Sequence, residues 1–450
     1  MKIAIIGSGI SGLTCAWHLH QNHDITVFEA NDYIGGHTAT IDVEVTSGKY
    51  AIDTGFIVFN DRTYPNFENL LGEIGIVGQP TEMSFSVHND NSGLEYNGNS
   101  LASMFAQKRN LLNPRFYNFI LEILRFNKLA RKVDLAGESS RTLGQFLQHY
   151  AFSDYFAENY ILPMGAAIWS STLSDMRSFP LAFFIRFFRN HGLLEVINRP
   201  QWYVIPGGSR EYVKRLVRPF ADNIRLNHPV ISVLRRNRKV TVVTAQGIDT
   251  FDHVIFASHS DQALAMLGDA TADEQRILGA MAYQDNEVVL HTDTNLLPQS
   301  RSAWAAWNYH LGPEIDNGQH RDNKLASLTY NMNILQGINA PETFCVTLNQ
   351  TEAIAEEAIL ERFVYAHPVF TTESMLAQQA RSEINGCRNT WFCGAYWYNG
   401  FHEDGVRSAL DVVDAIVNVS DKTTIIGAIS ADAKSEQQEL HTAYREQQYE

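Results

Sequence analysis

Residues 2–38, KIAIIGSGISGLTCAWHLHQNHDITVFEANDYIGGHT, leave this chain few folds to adopt. An apolar run from Ile3 to Ile6 leads directly into Gly7-Ser8-Gly9-Ile10-Ser11-Gly12. A helical pattern follows, and a second apolar run ends in the acid Glu29, with Ala30 behind it. Strand, glycine turn, helix, strand and acid in that order predict a dinucleotide-binding βαβ unit. Gly7 permits the tight turn, Gly9 lets the backbone approach a pyrophosphate, and Gly12 lets helix and strand pack closely, with Ala16 keeping that face small. Ile10 and Ser11 open the helix, whose free N–H groups and positive dipole end suit phosphate. Glu29 is placed to accept hydrogen bonds from a ribose diol. Glycines also gather in ordinary turns, but such a turn has no need of both strands and the acid.

The chain has 450 residues, enough for two or three domains. Apolar residues make up 45% and charged residues 19%, the balance of a folded soluble protein. A formal charge of −15 argues against a nucleic-acid partner and opposes simple adsorption to an anionic membrane. Cys15, Cys345, Cys387 and Cys393 are irregularly spaced, which disfavours a disulfide framework or a metal site. Cys15 reads as a small packing residue. The chain enters its nucleotide fold at once and has no apolar run of spanning length, so the expected compartment is cytoplasmic. Nothing in the sequence speaks to oligomeric state.

Along the chain, TATIDVEVTSGKYAIDTGFIVFN alternates around a Ser-Gly turn and predicts a hairpin. From about Tyr64 to Arg199 the pattern turns helical and aromatic, with Asn113-Pro114 as a helix start, then TLGQFLQHY and YFAENYILPMGAAIWS. Phe179 to Leu194 is the most apolar stretch. Phe183, Phe184, Phe187 and Phe188 share one broad helical face, with Arg186 and Arg189 beside it. That face is either a buried domain helix or a membrane-dipping entrance for a lipophilic substrate. WYVIPGGSREYVKRLVRPF predicts a strand, a turn at Pro206-Gly207-Gly208 and a helix capped by Ser209. PVISVL and KVTVVTAQGIDTFDHVIFAS read as strands and DQALAMLG as a helix. The basic run Arg235, Arg236, Arg238, Lys239 reads as a solvated hairpin turn. Strand-like segments recur from about Asn286 to Asn349 and predict an antiparallel sheet. EAIAEEAILERFVYAHPVF reads as a helix and connector. Near the C-terminus a strand ends at Gly394, an aromatic loop follows, and a helix is expected to begin at Gly405. The polar segment after about Ser420 predicts a mobile tail or a loose helix.

Gly35-Gly36-His37-Thr38 follow Glu29 after a five-residue gap. Acid, gap, Gly-Gly and basic residue resemble the extended signature of the flavin-containing amine oxidase, phytoene desaturase and protoporphyrinogen oxidase superfamily, which usually has Arg or Lys where His37 stands. Asp53-Thr54-Gly55 and the segment FCGAYWYNGFHEDGV resemble further cofactor segments of that superfamily. ILPMGAAIWSS, LHTD, AWAAWNY and LTYNMNILQ resemble a narrower subgroup, oxidoreductases related to the flavin domain fused to some cyclopropane fatty acid synthases. The resemblance implies an α/β fold. A discontinuous Rossmann-like domain (1–63, 200–265, 385–420) carries a mixed α+β substrate domain (64–199, 266–384), with a polar tail at 421–450. It implies FAD, held by Gly7, Gly9, Ile10, Ser11, Gly12, Glu29, Ala30, Gly35, Gly36, His37, Thr38, Gly55, Val230 (adenine, through backbone), Gly394, Gly405 and Val406. It implies a substrate cavity that includes Ile168, Trp169, Tyr330, Tyr396 and Trp397.

The expected function is FAD-dependent oxidation, reduction or isomerisation of a lipophilic substrate, an unsaturated or cyclopropane-modified acyl chain, with peripheral membrane contact open. The first alternative is an amine oxidase. Tyr396, Trp397 and Tyr398 would line the amine, with Tyr396 and Tyr398 sent to one side by an extended segment, and Lys324 is the lysine of the sheet wall. The second alternative is a non-catalytic escort protein of the same fold, against which the intact glycine turn, Glu29 and C-terminal segment argue. His402 and Glu403 stand beside the expected flavin helix as proton carriers. For Glu403 and Asp404 a structural role at a helix N-terminus is favoured, and His402 stays the open catalytic candidate.

Overall fold

The computed structural model describes residues 1–135, 141–195, 198–316 and 318–418; the tail expected at 421–450 lies outside these. Its organising sheet is wholly parallel. The strands run Ile224–Arg225, Asp24–Phe28, Lys2–Ile6, His253–Phe256, Thr390–Phe392 across the sheet. Placing the first strand in the middle puts Gly7 at the carboxyl end of a central strand, where an open α/β sheet binds ligands. Ile3, Ala4, Ile5 and Ile6 are buried on both faces, as the uninterrupted apolar run requires. Helix Ile10–Leu19 covers one face with Leu13, Cys15, Ala16 and Leu19. Cys15 and Cys393 are free thiols whose sulfurs lie 3.9 Å apart in that core.

The hairpin predicted before Gly55 is present as Thr40–Val45 and Gly48–Asp53. The sheet expected from Asn286 onward is also present, and it has seven strands. It is antiparallel except where Trp307–Leu311 runs parallel to Phe85–Asn89. One of its edges corrects the sequence reading. The segment expected as a helix before Phe370 is instead the 11-residue strand Ile359–Val369, preceded by two short helical turns. Phe363, Val364, Tyr365 and Val369 favour a pleated surface. Pro368 is tolerated because, among the described residues, the strand has one neighbour, Ala282–His291.

Helices Pro114–Ala130, Leu143–His149, Leu162–Trp169, Leu173–Ser178 and Leu181–Asn190 pack over the other side of this sheet. Asn113 caps the first of them through the Arg115 N–H. The phenylalanine-rich helix Leu181–Asn190 is core: Phe183, Phe184, Phe187 and Phe188 are all buried. Phe184 stacks on Phe188 at 4.1 Å and Phe183 on Phe370 at 5.1 Å. That stretch therefore presents no face to a bilayer. No described helix is long and apolar enough to cross a membrane.

Two local readings also change. Arg235 is not solvated: it is buried, bonded to Asp269 at 2.8 Å and to Glu274, and it ties strand Val230–Arg236 to helix Ala272–Gly279. Ser209 does not cap its helix. Its N–H and hydroxyl both donate to the buried Asp53, at 2.8 and 2.9 Å.

Candidate functional site

Two glycine turns from separate loops meet at the carboxyl end of the parallel sheet. Gly9 and Gly35 pair through one β-bridge. Ser8 fastens them: its N–H and hydroxyl donate to Glu29 at 3.0 and 2.6 Å, and its oxygen accepts the Gly35 N–H at 3.3 Å. The other Glu29 oxygen accepts the Asn31 N–H at 2.9 Å. Gly7, Gly35 and Gly36 all have positive φ, at +104°, +126° and +57°, so glycine is required on conformational grounds. Gly12 is required on steric grounds, because a Cβ there would stand 2.0 Å from the Gly7 carbonyl oxygen. Gly9 differs from all of these. Its backbone is ordinary extended chain, and a Cβ there would meet no atom within 4 Å. Gly9 thus faces open space at the N-terminus of helix Ile10–Leu19.

Further partners close round this opening. Gly55 lies against the His37 carbonyl, and Gly405 against Ile10 and Ser11. The chain leading to Val230 passes beside the acid, with the His228 N–H donating to the Glu29 carbonyl. Ala30 is exposed at the rim, and Val406 is buried in the nucleotide-domain core.

Beside Gly36 a group of rings has gathered from four segments. His37 lies 5.6 Å from His259, 6.1 Å from His367 and 5.3 Å from Tyr365. Tyr283 stacks on His259 at 4.4 Å, and Tyr365 bonds Thr54 at 3.0 Å. Burial holds these imidazoles uncharged, with repulsion from neighbouring imidazoles adding to it at His37 and His367: His37 falls to about 3, His367 to about 4, and His259 is also lowered. A fixed positive charge, as an Arg or Lys at position 37 would supply, is therefore missing at neutral pH.

His402 lies on the other side of His37's segment. It stacks on Phe56 at 3.7 Å, and its Nε2 is 2.8 Å from the Tyr212 hydroxyl, which is 2.7 Å from the Thr38 hydroxyl. Burial, with His37 nearby, lowers its pKa to about 3. If Thr38 donates to Tyr212 and Tyr212 to Nε2, the remaining proton sits on Nδ1, which has no protein partner among the described residues.

The C-terminal helix occupies residues 402–418, so it begins one turn earlier than expected. The reason is Asp404, which accepts the Phe401 N–H at 2.9 Å and caps that first turn. Glu403 reaches to a different helix, Pro65–Glu73, and accepts the N–H groups of Asn66 and Phe67 at 3.1 and 2.9 Å. Both carboxylates are structural caps, as favoured from sequence. Burial raises Glu403, and raises Asp404 to about 7.

The expected substrate wall comes together only in part. Tyr330 meets Trp307 edge-on at 5.3 Å where the helical layer and the seven-stranded sheet join. Ile168 borders the helical core, and Trp169 is inside it, 4.6 Å from Phe179. Tyr396 and Trp397 belong elsewhere, in the nucleotide-domain core with Phe28 and Phe256. They lie on a helical turn, Ala395–Trp397, so the alternation expected of an extended segment does not arise. Lys324 precedes strand Ser327–Asn331, in a turn that packs on helix Leu173–Ser178. Phe401, next to His402, instead stacks on Phe187 at 4.9 Å. It borders a cavity of about 550 Å³ with Tyr64 and His191, and the cavity wall also carries Arg62, Arg189, Glu403, Asp404 and Arg407. His191 is shared with a narrower slot of about 90 Å³, lined by Met83, Phe85, Tyr160, Met164 and Trp202, with Arg199 on its wall.

Sequence reasoning missed His259, His367, Tyr365, Tyr212 and Phe56. Only His259 had a signal, because it directly follows a parallel strand at its carboxyl end.

A family model described as flavin containing amine oxidoreductase matches residues 10–318. AofH of Mycobacterium tuberculosis, named a flavin-containing monoamine oxidase, is 24% identical over 275 residues, covering 57% of this chain and 56% of AofH. The match thus spans about half the length of those curated relatives. Among solved structures, a CLA-producing fatty acid isomerase from P. acnes superposes with a TM-score of 0.66 at 15% identity, over 92% of this chain and 98% of its own. Cyclohexylamine oxidase from Brevibacterium oxydans gives 0.66 at 15% identity, over 93% and 99%. At these identities the likeness is one of fold.

Proposed function

The chain belongs to the flavin containing amine oxidoreductase family, and from that membership we propose that it is an FAD-dependent oxidoreductase acting on a small organic substrate, with an amine as the first substrate class. The family model and AofH support the amine over the acyl chain expected from sequence. The observation that carries the cofactor reading is the open cradle at Gly9, walled by Gly35 and Gly36. A pyrophosphate fits where a side chain would otherwise stand, on the free N–H groups that open helix Ile10–Leu19. Glu29 uses three of roughly four acceptor sites on protein donors, which leaves one for a ribose hydroxyl. Val230 would meet the adenine through its backbone. Gly36, His37, Thr38, Gly55, Gly394 and Gly405 would border the rest.

Bound flavin supplies a two-electron acceptor for a hydride. The protein's part is positioning and the exclusion of charge. His37, His367 and His402 are buried neutral rings, so an ammonium beside them would lose its hydration without gaining a counter-charge from them. The free-base amine is the form such surroundings admit, and its nitrogen lone pair assists loss of hydride from the adjacent carbon. His402 Nδ1, in the tautomer where Tyr212 donates to Nε2, would be a donor able to orient a substrate or flavin acceptor. Phe401 and Phe187 would form the apolar side of the approach.

A second reading keeps the acyl substrate, and with it the narrower lipid-related subgroup. It rests on the apolar slot of Met83, Phe85, Met164 and Trp202, with Arg199 placed for a carboxylate. Both readings begin with the same measurement. The protein is denatured and its released chromophore identified; a colourless protein that takes up no added FAD defeats them and favours an escort role. Oxygen-free mixing then separates the two. Loss of the flavin's visible absorbance with simple amines, and none with unsaturated fatty acids in either redox state, supports the first reading. The opposite pattern reverses the ranking.

A further inference from the structure

We propose that His88, Asp90 and His310 form a binding site for a divalent cation of the zinc class, on the seven-stranded sheet of the substrate domain. His88 and His310 are direct partners on the parallel strands Phe85–Asn89 and Trp307–Leu311, so their imidazoles emerge side by side on one face. Asp90 follows two residues after His88 and turns back between them. His88 Nε2 is 3.1 Å from one Asp90 oxygen, and His310 Nε2 is 2.9 Å from the other. The three ligand atoms all lie within 4.8 Å of one another.

The outer nitrogens make this more than an ion pair. His88 Nδ1 is 3.2 Å from a Glu95 oxygen, and His310 Nδ1 lies against the Gln350 amide, 3.1 Å from its oxygen and 2.8 Å from its nitrogen. Both outer acceptors are themselves fixed. Glu95 receives the N–H groups of Gln299 and Ser300 at 2.7 and 3.0 Å, and Gln350 receives the Ser327 hydroxyl. His88 therefore faces an acceptor at both nitrogens, while a neutral ring has only one N–H. With the proton held on Nδ1 of each ring, both Nε2 lone pairs would point toward the same carboxylate, an arrangement that a cation at its centre would stabilise. A bound metal supplies one charge to both rings and to Asp90. The outer hydrogen bonds are those that orient and strengthen histidine ligands. Two imidazoles and one carboxylate select zinc and its transition-metal neighbours over magnesium and calcium, which take oxygen ligands. The Asp90 side is the more open, with its side chain 37% exposed against 15% for each histidine, so an entry path and a solvent ligand are available. The bound ion would fasten the hairpin of strands Phe85–Asn89 and Leu94–Asn97 to a strand far along the chain.

The test uses the full, tag-free chain, treated with chelator, dialysed, and then given zinc chloride alone. We expect one zinc per chain after removal of the unbound ion, and a higher thermal midpoint with zinc than without. Cobalt(II) in place of zinc should give a visible ligand-field spectrum. His88→Ala and His310→Ala should abolish all three signals. Asp90→Asn, at a partly exposed position where folding is not at stake, should bind zinc at least tenfold more weakly. Gln350→Ala should weaken it about 10- to 100-fold. Wild-type protein that retains no zinc overturns the proposal and leaves a protonated histidine pair on Asp90. Asp90→Asn binding as tightly as wild type overturns it equally, and circular dichroism of each variant shows which of them have folded.

Discussion

At the residue scale the glycines of the first turn divide into two kinds, and the division can be tested. Gly9→Val places a side chain in open space on a backbone that accepts it, with φ −68° and ψ 176°. The unliganded protein should keep its stability to within about 0.5 kcal/mol, while flavin content falls to background. Gly12→Ala drives a methyl group to 2.0 Å from the Gly7 carbonyl, and should destabilise by about 1–3 kcal/mol or more. Chemical denaturation read beside flavin absorbance distinguishes the pair. Asp53 gives a pH prediction. Burial raises it to about 6 even though Thr40, Ser209 and Gln336 donate to it. Its folded pKa exceeds its unfolded value, so the native state binds the proton more tightly. The associated stability is full below about pH 4 and is lost as pH rises through 6, on the order of 3 kcal/mol. Asp53→Asn should therefore gain on wild type by up to that amount between pH 4 and pH 7.5 in urea unfolding. The turn at Gly7 and the close packing at Gly12 were legible because each acts within a few residues of its own turn. The ring group was not, because His259, His367 and Tyr365 reach His37 only through the tertiary fold.

At the scale of elements, period was readable and covering was not. The 3.6-residue repeat of phenylalanines identified helix Leu181–Asn190, but no local pattern distinguishes burial under a protein layer from burial in lipid. With Phe184 fully buried, Phe184→Ala should cost about 3–5 kcal/mol. Loss of liposome binding at unchanged thermal stability would contradict that. Strand Ile359–Val369 shows the converse failure. The alanine- and glutamate-rich segment before it set a helical expectation, while the aromatic and branched residues that follow obeyed the sheet edge they pair with. Arg235 shows a third kind of failure, since a run of basic residues hides which one turns inward. Its guanidinium holds Asp269 and Glu274 below their usual values, so this cluster stabilises the fold above about pH 4.5 and loses its contribution as pH falls. Arg235→Ala strands the buried Glu274, while Arg388 still pairs with Asp269 at 2.6 Å, and should cost about 3–5 kcal/mol at pH 7. The loss should shrink at pH 3.5, where the acids take up protons.

At the scale of the whole molecule the parallel sheet draws its strands from three separated stretches of chain, and the substrate layers are threaded between them. That plan was legible because strand–turn–helix order fixes a parallel sheet. The placement of Tyr396 and Trp397 was not, because the sequence does not record which side of the last strand the loop will pack on. The same plan would make a bound cofactor a clamp. Residues that would touch it come from the first turn, from the segment near Val230 and from the start of helix 402–418. Binding therefore closes contacts between pieces that the chain itself joins only through long detours. A ligand that binds only the folded state stabilises it by RT ln(1 + [L]/Kd), about 2.7 kcal/mol at one hundred times Kd. FAD added to the stripped protein at that ratio should raise one cooperative transition that includes both the nucleotide and the substrate layers. Tryptophan fluorescence follows this in both layers, since Trp391 lies in the nucleotide core and Trp169 in the helical one. Gly9→Val should unfold at the midpoint of stripped wild type and show no rise with FAD. A rise confined to one of two separate transitions would mean that the layers fold independently, and that the cleft between them is assembled by something other than the cofactor.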